Sequence, residues 1–287
     1  MSYDLNFYKR KTDSTSKKDI EDYLNELPNV TKEIGKQWFY QNEETGVYCS
    51  FEYYENDEKI ELENFEEFED TNLAFNINFI RPQFFGKECF TLVDKFVEQL
   101  NLFILNPQGD GEPKKYKKGE LEEEWAESNL RFSKANFEEF GLSYLDLEKS
   151  NYSWEFCFNR NEFQDKLGEN YLVPGIFYVK KKGSDDVATL SVWPEHIPFV
   201  LPKVDYILVQ KKIKKLFKTK KEDGLIGYDD LILQIGQFFE EKGKYKIIHP
   251  ENSIKISKIF NNLKLIGSLK DFGEGVTIDK IVNVKKA

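Results

Sequence analysis

The residues able to do acid–base or metal chemistry are few. The 287-residue chain holds two histidines, His196 and His249, and three cysteines, Cys49, Cys89 and Cys157. Each histidine has proline within two positions and no cysteine or second histidine at the spacing that a zinc site needs. No nucleophile elbow, zincin helix, P-loop or dinucleotide glycine pattern occurs. The cysteines, odd in number and far apart, read as small core hydrophobes in a reducing compartment, not as a disulfide frame. The motifs therefore predict no catalytic residue, no metal ligand and no cofactor. Residue types alone leave one enzymatic alternative: a hydrolase or transferase with an acidic site between two modules, around Asp205, Glu195 and His196.

What the sequence concentrates is negative charge. From Glu52 to Asp70 there are ten carboxylates and one basic residue, Lys59, so this stretch holds a net −9 of the chain's −10. Ile60, Leu62, Phe65 and Phe68 interleave with the acids, which predicts a stretch ordered against the body. Carboxylates crowded together raise the local potential and steer a cationic molecule toward them. The spacing matches no EF-hand loop. The candidate partner-binding residues are thus Tyr48 and Tyr54 as aromatic anchors, with Glu58, Glu61, Glu63, Glu66, Glu67, Glu69 and Asp70 as the charged surround. The lysine run Lys211, Lys212, Lys214, Lys215, Lys218, Lys220 and Lys221 reads, in so acidic a molecule, as a solvated connection or as a charge complement to the acidic run in a head-to-tail dimer. A pI near 5.1 argues against nucleic acid as a partner. The opening Met1-Ser2-Tyr3-Asp4-Leu5 lacks a cationic region followed by an apolar one, and no stretch reaches the ~20 apolar residues of a membrane helix. A cytoplasmic monomer or homodimer with a basic protein partner and no membrane contact is expected.

The elements that must position these residues follow from periodicity. Trp38–Gln41 and Val47–Tyr53 read as a hairpin around Gly46, with Val47, Cys49, Phe51 and Tyr53 on the buried face. Tyr3–Tyr8 and Leu73–Ile80 read as strands. Ser16 with Asp19 caps a helix carrying Ile20, Tyr23, Leu24 and Leu27. Cys89, Leu92, Val93, Phe96, Val97 and Leu100 predict the clearest helix. In the second half Tyr152–Phe158 and Val204–Gln210 alternate as strands, and Gly175–Lys180 pairs with Val187–Trp193 as a hairpin. Helices are expected on the stripes at Leu231–Phe239 and Ile256–Leu263, with a terminal strand over Val276–Val284. Glycine, proline and lysine mark a linker over 107–127 between modules 1–106 and 128–287. The expected class is α+β: two modules, each a mostly antiparallel sheet with helices on one face, as a ferredoxin-like or split βαβ variant, the second repeating the element order of the first.

An α+β body with its acidity focused over Glu52 to Asp70 and no catalytic signature resembles the bacterial immunity proteins of polymorphic-toxin or contact-dependent competition systems. Residue usage rich in Lys, Asn, Ile, Phe and Tyr points toward an AT-rich bacterial genome. The resemblance is one of general character and carries no residue over by alignment. It implies an inhibitor that neutralises a basic toxin or enzyme by occlusion, with charge setting the on-rate and buried aromatics setting affinity.

Overall fold

The computed structural model describes residues 2–33, 35–54, 65–109, 111–215 and 218–286, with the side chains of 212–222 outside that description. Glu58, Glu61 and Glu63 therefore lie outside the described residues. The chain divides into two compact units, Met1–Asn136 and Phe137–Ala287.

The first unit runs β1 (Ser2–Arg10), α1 (Lys17–Glu26), β2 (Val30–Lys32), β3 (Gln37–Gln41), β4 (Tyr48–Tyr53), β5 (Phe68–Asn78), α2 (Phe84–Leu100), β6 (Phe103–Leu105) and α3 (Glu120–Ala135). Its sheet has the order β2-β3-β4-β5-β1-β6, and every neighbouring pair is antiparallel. Without the β2 and β3 additions, the interleaved order β4-β5-β1-β6 is that of a split βαβ arrangement. The start of α1 forms the expected capping box, in which the Ser16 and Asp19 side chains satisfy each other's backbone N–H. Val47, just before β4, and Cys49, Phe51 and Tyr53 on it alternate into the core as anticipated. There α2 lays Phe96 against Phe7 and Phe51, at ring-centroid distances of 4.9 and 5.4 Å. Such edge-on pairs add directional attraction to burial.

The stretch 107–127 differs from the linker expected of it. Its second half begins α3, whose Leu121, Trp125 and Asn129 are buried, and the division between units falls after Asn136. The glycines, prolines and lysines punctuate a loop inside the first unit: Ile104 and Lys114 exchange backbone hydrogen bonds of 2.9 and 3.0 Å across it.

The second unit runs β7 (Ser143–Tyr144), α4 (Leu147–Phe158), α5 (Arg160–Leu167), β8 (Phe177–Lys181), β9 (Val187–Pro194), β10 (Phe199–Pro202), β11 (Tyr206–Lys215), β12 (Lys218–Gly227), α6 (Tyr228–Ile235), β13 (Glu240–Lys242), β14 (Tyr245–Ile248), α7 (Pro250–Asn261), α8 (Leu269–Phe272), β15 (Gly273–Gly275) and β16 (Ile281–Val282). Its strands form a five-stranded sheet β12-β11-β9-β8-β15, a three-stranded sheet β10-β14-β13 and the pair β16-β7. Strands β9 and β11 are parallel. This topology does not repeat that of the first unit.

One cause is local. Tyr152–Phe158, expected as a strand, lies within α4. The Asp146 side chain caps that helix by accepting from the N–H groups of Glu148 and Lys149 at 3.0 and 3.1 Å. Ser150, Ser153, Phe156 and Cys157 are its buried residues, a helical spacing that overrides the β preference of Tyr, Trp and Phe. At the C-terminus only Ile281–Val282 is extended, after a 3-10 turn over Ile278–Lys280. Trp193 centres the core of this unit, stacked on Phe199 and edge-on to Phe260, each at 5.0 Å. Among the described residues no helix is long and apolar enough to cross a membrane.

Candidate functional site

The hairpin leading to the acidic stretch is built from its loop outward. The Asn42 carbonyl accepts from the Gly46 N–H at 2.8 Å, and Gly46 takes φ +74°, a left-handed value that glycine adopts without steric cost. The loop is fastened to α2 by a buried carboxylate. Glu88 Oε1 accepts from Tyr40 Oη at 2.7 Å, Asn42 Nδ2 at 2.8 Å and Thr45 Oγ1 at 3.2 Å. Burial, and after it this hydrogen bond, push the Tyr40 hydroxyl well above the phenol range.

Beyond the hairpin, the described candidates separate into two groups. Tyr54 donates to the Asp70 carboxylate, 2.7 and 2.8 Å from its oxygens, and Asp70 accepts from the Asn72 N–H at 2.8 Å. Burial first, then the Asp70 carboxylate, raise the Tyr54 hydroxyl far above its ordinary value. This pair closes the β4–β5 end internally. Glu69 is paired with Lys9 on β1 at 3.3 Å. Glu66 and Glu67 are exposed and have no ion-pair partner among the described residues. Their backbone is held nonetheless: the Glu67 carbonyl accepts from the Lys11 N–H at 3.1 Å, and the Phe65 ring meets Tyr8 edge-on at 5.6 Å.

Tyr48 lies at the other end of β4, about 20 Å from Tyr54 at 3.3 Å per residue. Its ring stacks on Phe39 and lies under the Arg81 guanidinium, 5.4 Å from the ring centre. Arg81 also donates to the Tyr48 hydroxyl. Arg81 follows Ile80, whose φ of +63° is strained for a β-branched residue. Buried Asn129 holds that turn, accepting from the N–H groups of Ile80 and Arg81 at 2.7 and 3.1 Å and donating to the Arg81 carbonyl at 2.8 Å. Tyr48 and Tyr54 are therefore not one anchor pair.

The enzymatic alternative is divided as well. Asp205 precedes β11, where its carboxylate accepts from Lys149 Nζ and from the Thr189 N–H and hydroxyl, the latter two at 2.9 and 3.1 Å. Burial alone would raise this carboxyl. The Lys149 hydrogen bond and the Thr189 donors outweigh it and hold the carboxyl below its usual range. Glu195 sits at the far end of the same strand pair, its N–H donating to the Gln210 carbonyl at 2.8 Å, so about 16 Å of strand separates it from Asp205. His196 offers its carbonyl to Ser253 Oγ and its ring to Phe260 at 6.3 Å.

The second histidine keeps different company. His249 Nδ1 is 2.6 Å from Tyr171 Oη, and its Nε2 is 2.6 Å from Glu240 Oε2. With Glu240 ionised, Nε2 carries the proton, and in the neutral imidazole Tyr171 then donates to Nδ1. Glu240 is held below its usual range first by Lys242 and then by His249. Among the described residues no cluster of His, Cys, Asp or Glu could hold a metal ion.

No known protein family, curated protein or solved structure matches the chain.

Sequence reasoning missed Glu88, Asn129, Lys149 and the Tyr171–His249–Glu240 chain. Glu88 and Asn129 did carry a signal. Each is a polar residue on the apolar face of its helix, Glu88 between Phe85 and Phe96 and Asn129 between Trp125 and Phe132.

Proposed function

We propose that this protein is a cytoplasmic protein-binding module, an immunity-type inhibitor that neutralises a basic toxin or enzyme by occlusion. The observation that carries the reading is the ordered, exposed pair Glu66 and Glu67, uncompensated by any described cation, at the end of the stretch that holds nearly all of the chain's net charge. Charges on a bend whose backbone is tied to β1 through Lys11 cost less loop ordering on association, and they steer a cationic partner before contact. Tyr48 with Arg81 and Phe39 offers a half-buried aromatic patch of the kind that supplies affinity. The test is Glu66→Lys with Glu67→Lys in the full chain, with stopped-flow association against the basic protein it captures. A fall in on-rate of roughly tenfold at low salt, with a flatter salt dependence, is expected. An unchanged on-rate overturns the reading.

A second reading, a hydrolase or transferase, draws on Tyr171, His249 and Glu240, because a histidine oriented by a carboxylate toward a hydroxyl is a recurrent acid–base arrangement. Turnover by the wild type that is lost in His249→Ala would favour it over the inhibitor.

A further inference from the structure

Within the second unit, three cavities of about 730, 570 and 140 Å³ share Tyr152 as a common wall. The first two also share Tyr228 and Asp229, and the last two share Lys244 and Tyr245, so they continue as one groove. Its wall is fixed: the Tyr152 hydroxyl accepts from the Lys203 N–H and donates to the Lys244 carbonyl, both at 2.9 Å. The largest cavity is lined by five carboxylates against Lys149 and Lys203, a net charge of −3.

Two of those carboxylates are already engaged. Asp205 is committed to Lys149 and Thr189, and Asp146 caps α4. Asp229 and Asp230, in the first turn of α6, are exposed and have no ion pair among the described residues. The half-buried Tyr206 and Tyr228 line the same cavity, as does Ile266, which is 61% exposed. Aromatic faces beside unpaired carboxylates, with an apolar lip, match the aliphatic stem and cationic head of arginine or lysine. The second cavity is lined by Lys203, Lys244 and Lys246 against Asp229 alone, so a basic group fits only the first.

We infer that the largest cavity of this groove seats a basic side chain of the partner, with an arginine or lysine head at Asp229 and Asp230 and its stem against Tyr228. The inference rests on the reading that the partner is basic, and it adds a second contact to the one at Glu66 and Glu67.

The probe is a fluorescein-labelled Arg-Gly-Arg-Gly-Arg-Gly peptide, followed by anisotropy against the full chain at low salt, with the glutamate analogue as control. Binding should weaken roughly tenfold in Asp229→Asn/Asp230→Asn. A weakening of about threefold is expected in Tyr228→Leu, which keeps every charge. Glu66→Lys/Glu67→Lys should weaken it less than Asp229→Asn/Asp230→Asn does, since those side chains do not line the groove. No binding by the wild type, equal binding of the glutamate peptide, or loss only in the Glu66/Glu67 variant overturns the inference. Peptide binding at the groove alongside an unchanged partner on-rate in the Glu66/Glu67 variant would sink the function proposed above and leave the groove standing.

Discussion

Glu88→Ala tests whether the hairpin is held by a single buried oxygen. Glu88 is 3% exposed, and its Oε1 serves three donors from strand β3 and the loop after it. Removing the carboxylate strands Tyr40 Oη, Asn42 Nδ2 and Thr45 Oγ1, each at a cost of about 1–3 kcal/mol if it stays dry and unpaired. Asn42 and Thr45 are each 7% exposed, close enough to solvent for a small shift to rehydrate them. The whole loss should therefore be about 3–4 kcal/mol, less than three full penalties. Glu88→Gln keeps the volume and one acceptor oxygen and forfeits only the charge-assisted part, about 1–2 kcal/mol. Native-state hydrogen exchange on the full chain reads this locally. The amides of Asn42, Gly46 and Val47 should lose protection in that order of severity, Ala beyond Gln, while amides of β9 in the second unit stay unchanged. A loss below about 1 kcal/mol for Glu88→Ala, or equal losses for the two variants, would refute the three-donor account.

Two further perturbations follow from packing and linkage. A Cβ on Gly86 would stand 2.7 Å from Trp125 Cε3 and 2.8 Å from Cζ3, and Trp125 is fully buried. Overpacking of about 1–3 kcal/mol should exceed the helix-propensity gain of about 1 kcal/mol, so Gly86→Ala lowers the melting temperature where an exposed helical glycine would raise it. The Asp205 carboxyl is depressed in the folded chain, so its contribution to stability is complete above the ordinary carboxylate pKa near 4 and is lost as pH falls through the lower folded value. Wild type and Asp205→Asn should accordingly differ in urea midpoint at neutral pH and draw together as pH falls; a gap that does not narrow in acid would contradict the Lys149 pairing.

Local order was legible in the sequence because it is written in neighbouring residues. The Ser16–Asp19 box, the buried face of β4 and the stripe of α2 each depend on residues within a few positions of one another, and each appears where period and capping placed it. The concentration of charge over Glu52 to Asp70 is likewise a property of composition alone. Tyr152–Phe158 failed because alternation over seven residues cannot reveal that Asp146, outside the window, caps a helix there. Tertiary structure alone decided which polar groups meet. Glu88 finds Asn42 across 46 positions, Asn129 finds Ile80 across 49 and Lys149 finds Asp205 across 56. A buried donor or acceptor must be paired, but the chemistry that demands a partner does not say which distant residue supplies it. The separation of Glu195 from Asp205 is likewise tertiary, imposed by the parallel register of β9 and β11.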